Sequence, residues 1–418
     1  MEIKRDLYLR QLVRNISIPL IKVVTGIRRC GKSYLLQHLF TRFLLEQHHV
    51  APDHIISIDL EITANADLRD ASRLNQFVLG KVTDRRPYFV LIDEIQYVPD
   101  FYALLNGWLK HGQFNVYVTG SNSHLLASDI ATEFRGRSAN IQVYPLSFSE
   151  FMSQYHGDIQ RGWREYLTFG GLPLCTLYTD RQDKISYLNT QKDNVYLNDL
   201  IERHGLRNIH VFQALTQIIA SDIGALTNPN KIANTFASQH LETSYQTIDN
   251  YLRYLSDAFL IEPARRFDIR GRHYIGSTLK YYFTDLGLRG SFLDFRQQEI
   301  NNLMENVIFL ELRRRGYNVD VGMLEIREKN QLGDYVKKQT GIDFIANLGD
   351  QKYYIQSAWK LDTPEKVAQE KRSLWQIDNS FKKIIITSDL AQESGHDPDG
   401  ILWLDIFDFL LDSHSLER

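Results

Sequence analysis

The stretch Gly26-Ile27-Arg28-Arg29-Cys30-Gly31-Lys32-Ser33 decides the fold. It satisfies G-x-x-x-x-G-K-[ST] without a mismatch, and its flanks give the pattern physical meaning. Ile21-Lys22-Val23-Val24-Thr25 is a short β-branched run that reads as a buried strand; from Ser33 to Gln47, leucines and phenylalanines recur at helical spacing. A strand that turns through glycines into a helix aims backbone N–H groups and the positive end of the helix at a phosphate. In that arrangement Gly26, Ile27, Arg28, Arg29, Cys30 and Gly31 form the cradle of a nucleoside triphosphate. Lys32 reaches the β- and γ-phosphates, and Ser33 offers its hydroxyl to Mg²⁺. The competing reading, a chance glycine turn, loses its weight because a second motif follows.

That motif is Tyr88-Phe89-Val90-Leu91-Ile92-Asp93-Glu94. An apolar run that ends in a carboxylate is a central parallel strand delivering its acid to the edge of the sheet where ligands bind. Asp93 is the second candidate for the Mg²⁺ shell, and Glu94 beside it is the candidate catalytic acid that polarises the attacking water. The alternative for Glu94 is a solvated loop acid. A third strand, Asn115–Thr119, runs into Gly120-Ser121-Asn122-Ser123, where Asn122 or Ser121 is placed to sense a γ-phosphate; the same residues are also ordinary turn chemistry.

At 418 residues the chain is long enough for two or three domains, and 43% hydrophobic residues against 24% charged ones build cores rather than a disordered chain. A formal net charge of −3 provides no global basic field for nucleic acid, so any such contact needs a local patch. The two cysteines, Cys30 and Cys175, make neither a disulfide scaffold nor a zinc site. The charged start MEIKRDLYLRQL lacks the apolar centre of a secretory signal, and no apolar run is long enough to span a bilayer, so a cytoplasmic protein with no membrane partner is expected.

The runs KVVTGIRRCGKSYLL, VLIDEIQYV, YVTGSNSHLL, FRGRS and YPLSFSEF together resemble the AAA-plus-type ATPases of the archaeal-ATPase-like group, which carry a C-terminal domain of unknown function. The resemblance runs from about Lys4 to the last strands. It implies an α/β P-loop domain with a parallel sheet, then a helical region with a winged helix, then an α/β restriction-endonuclease-like domain, with ATP and Mg²⁺ as cofactors. Arg137, in the GRS step, stands where that family has an arginine after the post-sensor helix. It is a candidate catalytic finger for a γ-phosphate in its own or a neighbouring subunit of an oligomer, against a structural salt bridge. The corresponding domains are residues 1–155, 156–225, 226–290 and 291–418, with Gly170-Gly171-Leu172-Pro173 resembling the hinge into the helical region.

Within 226–290, Lys231–Ser238 reads as one helix and Ser244 caps a second, whose apolar residues Ile248, Tyr251, Leu252, Leu255 and Phe259 share one face. Strands at Ile261–Asp268 and Leu279–Thr284 flank a loop with Arg270 and Arg272. If this segment binds DNA, the start of the second helix (Tyr245, Gln246, Thr247) enters the groove and the loop arginines touch phosphates. The other reading packs it against protein alone. In active nucleases of the last domain's fold, a helix glutamate, a strand aspartate and an acid-x-lysine triplet bind Mg²⁺. Glu305 and Asp343 match; Gln356 replaces the acid and Ala358 the lysine, with Lys360 two residues further along the same face. A degenerate site is therefore expected. The whole reads as a Mg²⁺-dependent ATPase acting as a switch or motor that associates with DNA. A signalling or scaffold ATPase with protein partners only, and an ATP-dependent nuclease, are the alternatives.

Overall fold

The computed structural model describes residues 3–120, 134, 136–276, 278–297, 299–329, 335–388 and 394–418. The chain forms two compact units. One is built on residues up to Leu146 together with Leu172–Leu174 and Asp257–Phe259; the other takes Ser147–Gly171, Cys175–Ser256 and Leu260–Arg418.

The first unit is a five-stranded parallel sheet of β1 (Ile21–Thr25), β2 (Ile55–Asp59), β3 (Tyr88–Asp93), β4 (Phe114–Thr119) and β5 (Ser138–Gln142), in the order β2-β3-β4-β1-β5. Every residue of β1 and β3 is buried, as both faces of a parallel sheet demand. Helix α1 (Asp6–Arg14) precedes the sheet. Helix α2 follows the glycine loop as Lys32–Tyr34, opens into a π-turn at Leu35–Phe40 and closes as Thr41–Glu46. Its Phe40 packs on Tyr117 of β4, ring centroids 4.6 Å apart. Helices α3 (Ala71–Gly80) and α4 (Phe101–His111) contribute Leu74, Val78, Leu105 and Trp108 to one continuous core with Val90, Ile92, Val116 and Val118.

Because β4 lies between β1 and β3, three strand ends converge at the carboxyl edge of the sheet. Val24 of β1 pairs with Thr119 of β4, Ile92 of β3 with Val118, and Asp93 with Asp59 of β2. That edge carries the glycine loop.

The first long helices of the second unit are α5 (Ile159–Phe169), α6 (Arg181–Thr190) and α7 (Ile209–Ser221). Then come β6 (Leu226–Thr227), α8 (Pro229–Ser238), α9 (Tyr245–Asp257), β7 (Ile261–Ala264), β8 (Arg266–Asp268), β9 (His273–Tyr274) and β10 (Leu279–Phe283). Strands β6, β10 and β7 form a three-stranded antiparallel sheet. The single strand expected at Ile261–Asp268 is two strands serving two sheets. β8 leaves the small sheet and pairs in parallel with β11 (Asn318–Lys329), while β9 folds back on β8.

Helices α10 (Leu286–Phe292) and α11 (Ile300–Arg314) lead into β11, β12 (Tyr335–Leu348) and β13 (Gln351–Ala358), which pair antiparallel in turn. Helix α12 (Pro364–Trp375) crosses to β14 (Lys382–Thr387), and β15 (Gly395–His396) and β16 (Leu402–Asp405) complete an eight-stranded mixed sheet ordered β15-β16-β14-β13-β12-β11-β8-β9. Among the described residues, no helix is long and apolar enough to cross a membrane.

Candidate nucleotide-binding site

The glycine loop has the backbone a phosphate cradle needs. A Cβ on Gly26 would fall 2.1 Å from the carbonyl oxygen of Val143, and Gly26 has φ +143°, so only glycine fits there. Gly31 enters α2 at φ +98°, and Arg29, exposed, is also left-handed at φ +64°. The loop is held from behind by Arg5, whose guanidinium donates to the carbonyls of Cys30 at 3.4 Å and Tyr144 at 2.5 Å. The Cys30 thiol donates to the Val143 carbonyl at 3.3 Å, so this cysteine is a buried filler that locks the loop. Cys175 is equally buried, and loss of hydration pushes its thiol up to about 12.

Lys32 is buried, and its ammonium donates to the carbonyls of Gly26 and Ile27, each at 3.1 Å. A phosphate entering the cradle offers it charged acceptors in place of two neutral ones.

Asp93, 2% exposed, is held between α2 and β4. It is hydrogen-bonded to the Ser33 hydroxyl and accepts from the Thr119 hydroxyl. Burial raises its pKa, and the charges of Glu94 and Asp59 add to that shift. A dehydrated carboxylate touching the loop serine, with two further acids at the same edge, is a site short of positive charge. These residues fit a hard divalent cation, which Ser33 and Asp93 would hold.

Glu94 follows Asp93 at φ +55°. Its N–H donates to Thr119 Oγ1 at 3.0 Å, and its carboxylate accepts from the Gln96 amide. One hydroxyl thus fixes both acids, donating to one and accepting from the backbone of the other. Sequence reasoning passed over Thr119; a hydroxyl closing an otherwise apolar strand was the available signal. It also passed over Arg5 and Asp59. Pro173 belongs to this unit too, its Cγ 3.8 Å from where a Cβ on Gly31 would stand, whereas its GGLP step reads from the sequence as a hinge only.

Asn122 and Ser121 lie outside the described residues. Arg137 is exposed and directly precedes β5, whose Ser138 pairs with Ile21 and Gln142 with Thr25. It therefore sits at the amino edge of the sheet. Its distance from the loop is on the order of 15 Å at about 3.3 Å per strand residue, which removes the reading in which it touches a γ-phosphate in its own subunit. Arg28 is half-buried in the loop.

In the second unit several basic residues make contacts within the unit, and Arg270, exposed, is one of them. Its guanidinium donates to the Glu325 carbonyl at 2.9 Å, because the loop that carries it lies on the large sheet. Arg266 donates to Thr278 at 3.0 Å, Arg265 stacks on Tyr274 at 4.1 Å, and Lys280 pairs with Glu305 at 2.9 Å. Arg272 and Gln246 are exposed. Thr247 is committed to the start of α9: its N–H donates to Ser244 Oγ at 3.2 Å and the two hydroxyls bond at 3.0 Å. Lys360 is exposed beyond the end of β13, so the alternation that would align it with Gln356 stops at Ala358.

Residues 19–152 match the AAA domain, and residues 160–299 match a domain of unknown function, DUF8612. An uncharacterized protein of Haemophilus influenzae is 34% identical over 98% of this chain and 98% of its own. An uncharacterized protein of Methanocaldococcus jannaschii is 30% identical over 90% of this chain and 85% of its own. The chain belongs to one family with these two proteins, a family built on an AAA domain. Among solved structures, a Saccharomyces cerevisiae Hsp104–ADP complex aligns at 17% identity and a TM-score of 0.32, covering 62% of this chain; this chain spans 39% of the Hsp104 chain. The AAA match supports ATP binding and hydrolysis as the activity of the first unit.

The double role of Thr119 gives a direct expectation. Thr119→Val keeps the shape but removes the acceptor of the Glu94 N–H and one of the two hydroxyls bonded to Asp93, at a cost of about 1–3 kcal/mol. ATP turnover should fall roughly tenfold or more, since about 1.4 kcal/mol is a factor of ten in rate. Nucleotide affinity should change by less than about threefold, since Lys32 and the loop N–H groups are untouched. Steady-state phosphate release beside equilibrium nucleotide titration measures both, and parental turnover in the variant contradicts the assigned role.

Proposed function

We propose that this protein is a Mg²⁺-dependent ATPase that works as a nucleotide-driven switch, with Lys32, Ser33, Asp93 and Glu94 as its working residues. The observation that carries the reading is the junction of Ser33, Asp93 and Thr119 at the carboxyl edge of the sheet, directly below the glycine loop. Lys32 holds the terminal phosphates and the loop N–H groups cradle them. Ser33 and Asp93 would hold Mg²⁺, which would supply charge neutralisation at the phosphates. Glu94, fixed by Thr119 and Gln96, takes the position from which a carboxylate draws a proton from attacking water. The amino-edge position of Arg137 supports a role in trans, as a finger presented to a neighbouring copy.

For the second unit the protein-relay reading gains over DNA binding. Helices α7, α8 and α9 with the β6-β10-β7 sheet have the element order of a winged helix. Yet of its basic residues Arg265, Arg266, Arg270, Arg272 and Lys280, all but Arg272 make contacts within the unit, though Arg270 also stays exposed.

Two experiments test these readings. Lys32→Ala should abolish nucleotide binding. Glu94→Gln should bind nearly as the parent does while hydrolysis falls by about a hundredfold or more, the usual worth of a positioned general base; hydrolysis at the parental rate removes Glu94 from the chemistry. For the second unit, retention on duplex and single-stranded DNA is followed against salt, with and without ATP. The relay reading expects no retention at low salt. Retention that weakens with salt and is lost in Arg272→Glu restores the DNA reading.

A further inference from the structure

The resemblance of the last domain to metal-dependent nucleases implies a divalent cation between a helix glutamate and a strand aspartate, and the residues present do not fit one. We infer that the Lys280 ammonium permanently occupies the position a catalytic metal would take, so that the nuclease-like centre is a sealed ionic joint. The inference rests on the nuclease-like reading of that domain.

Lys280 and Tyr282 stand two apart on β10 and therefore on one face of the strand. Both converge on a single oxygen: Lys280 Nζ donates to Glu305 Oε1 at 2.9 Å and the Tyr282 hydroxyl at 2.6 Å. Lys280 and Glu305 are both largely buried, with side chains 14% and 15% exposed. The oxygen that would ligate a metal thus faces two hydrogens. The backbone at Gly224 passes beside this oxygen, since a Cβ there would lie 3.2 Å from it. Burial works against the charge on Lys280, but Glu305 and Asp343 both hold it in the charged form. The ammonium is thus hydrogen-bonded to one of the two carboxylates and held charged by both.

The replacement of the triplet acid by Gln356 belongs to the same arrangement. Its amide oxygen accepts from the Asp343 N–H at 2.8 Å, and its amide nitrogen donates to Glu370 of α12 at 2.9 Å. A carboxylate could not make the second bond and would place a third negative charge beside Asp343. Asp343 Oδ2 already accepts from the Ser357 N–H at 2.9 Å. Magnesium asks for near-octahedral oxygen ligation and keeps several of its waters. Here one oxygen of each carboxylate already accepts hydrogen bonds from the protein, and among the described residues no group of three His, Cys, Asp or Glu side chains is placed to hold a metal.

The test is Mn²⁺ binding by paramagnetic resonance on the full chain without nucleotide, in an Asp93→Asn background that silences the site in the first unit. The lysine-intact chain should bind no Mn²⁺ up to about 1 mM, the weak limit for protein oxygen sites. Lys280→Met should gain one equivalent, lost again in Lys280→Met/Asp343→Asn, whereas Lys280→Arg, which keeps the cation, should gain none. Mn²⁺ bound by the lysine-intact chain and lost in Asp343→Asn overturns the inference, and that comparison stands even if Lys280→Met fails to fold. A folded Lys280→Met that gains no Mn²⁺ also overturns it. Nicking of plasmid that Asp343→Asn abolishes would instead sink the reading of an inactive domain. Mn²⁺ bound without nicking sinks only the lysine assignment.

Discussion

The first unit depends on one buried carboxylate. Asp93 ends a strand with every residue buried and is drawn out of water at a cost that its hydrogen bonds to Thr119 and Ser33 only partly offset, which is why its pKa is raised. Those two bonds join three elements: the strand that carries the acid, the neighbouring strand that ends in Thr119, and the helix that begins after the glycine loop. Placing β4 between β1 and β3 is what permits this, since Thr119 then has the loop strand on one side and the Asp93–Glu94 step on the other. The strand order is thus a chemical requirement as much as a packing solution.

The same logic accounts for the treatment of positive charge. In the first unit Lys32 rests on loop carbonyls, neutral partners that a phosphate can displace, while Arg5 is buried on the carbonyls behind the loop. In the second unit the cations are bound to charged or structural partners: Lys280 to Glu305, Arg270 to the Glu325 carbonyl, Lys184 to Glu165 at 2.9 Å.

How much the sequence disclosed follows from how local each signal is. The loop, β1, β3 and β4 were legible because a fully buried parallel strand is an unbroken apolar run and a glycine at a forced dihedral has no substitute. β5 was not, because Ser138-Ala139-Asn140-Ile141-Gln142 is an edge strand in which Ile141 alone is buried and three of the five residues are polar. The placement of Arg137 followed the same blind spot, since only the β1–β5 register reveals which edge it occupies. The division at Arg265, where one extended run leaves one sheet for another, has no sequence mark at all. Glu305 and Asp343 were found by pattern, but Lys280 could not be, because it reaches the pair from a strand outside the pattern.

The central claim is that a triphosphate and Mg²⁺ are held by Lys32, Ser33 and Asp93, and a crystal structure of the chain with Mg²⁺ and a non-hydrolysable ATP analogue tests it most directly. The account predicts the Lys32 ammonium released from the Gly26 and Ile27 carbonyls and turned onto the β- and γ-phosphates. It also predicts the direct Ser33–Asp93 hydrogen bond replaced by a shared metal shell. A nucleotide bound elsewhere, or bound in the loop with Lys32 still on its carbonyls and Ser33 still on Asp93, would contradict it.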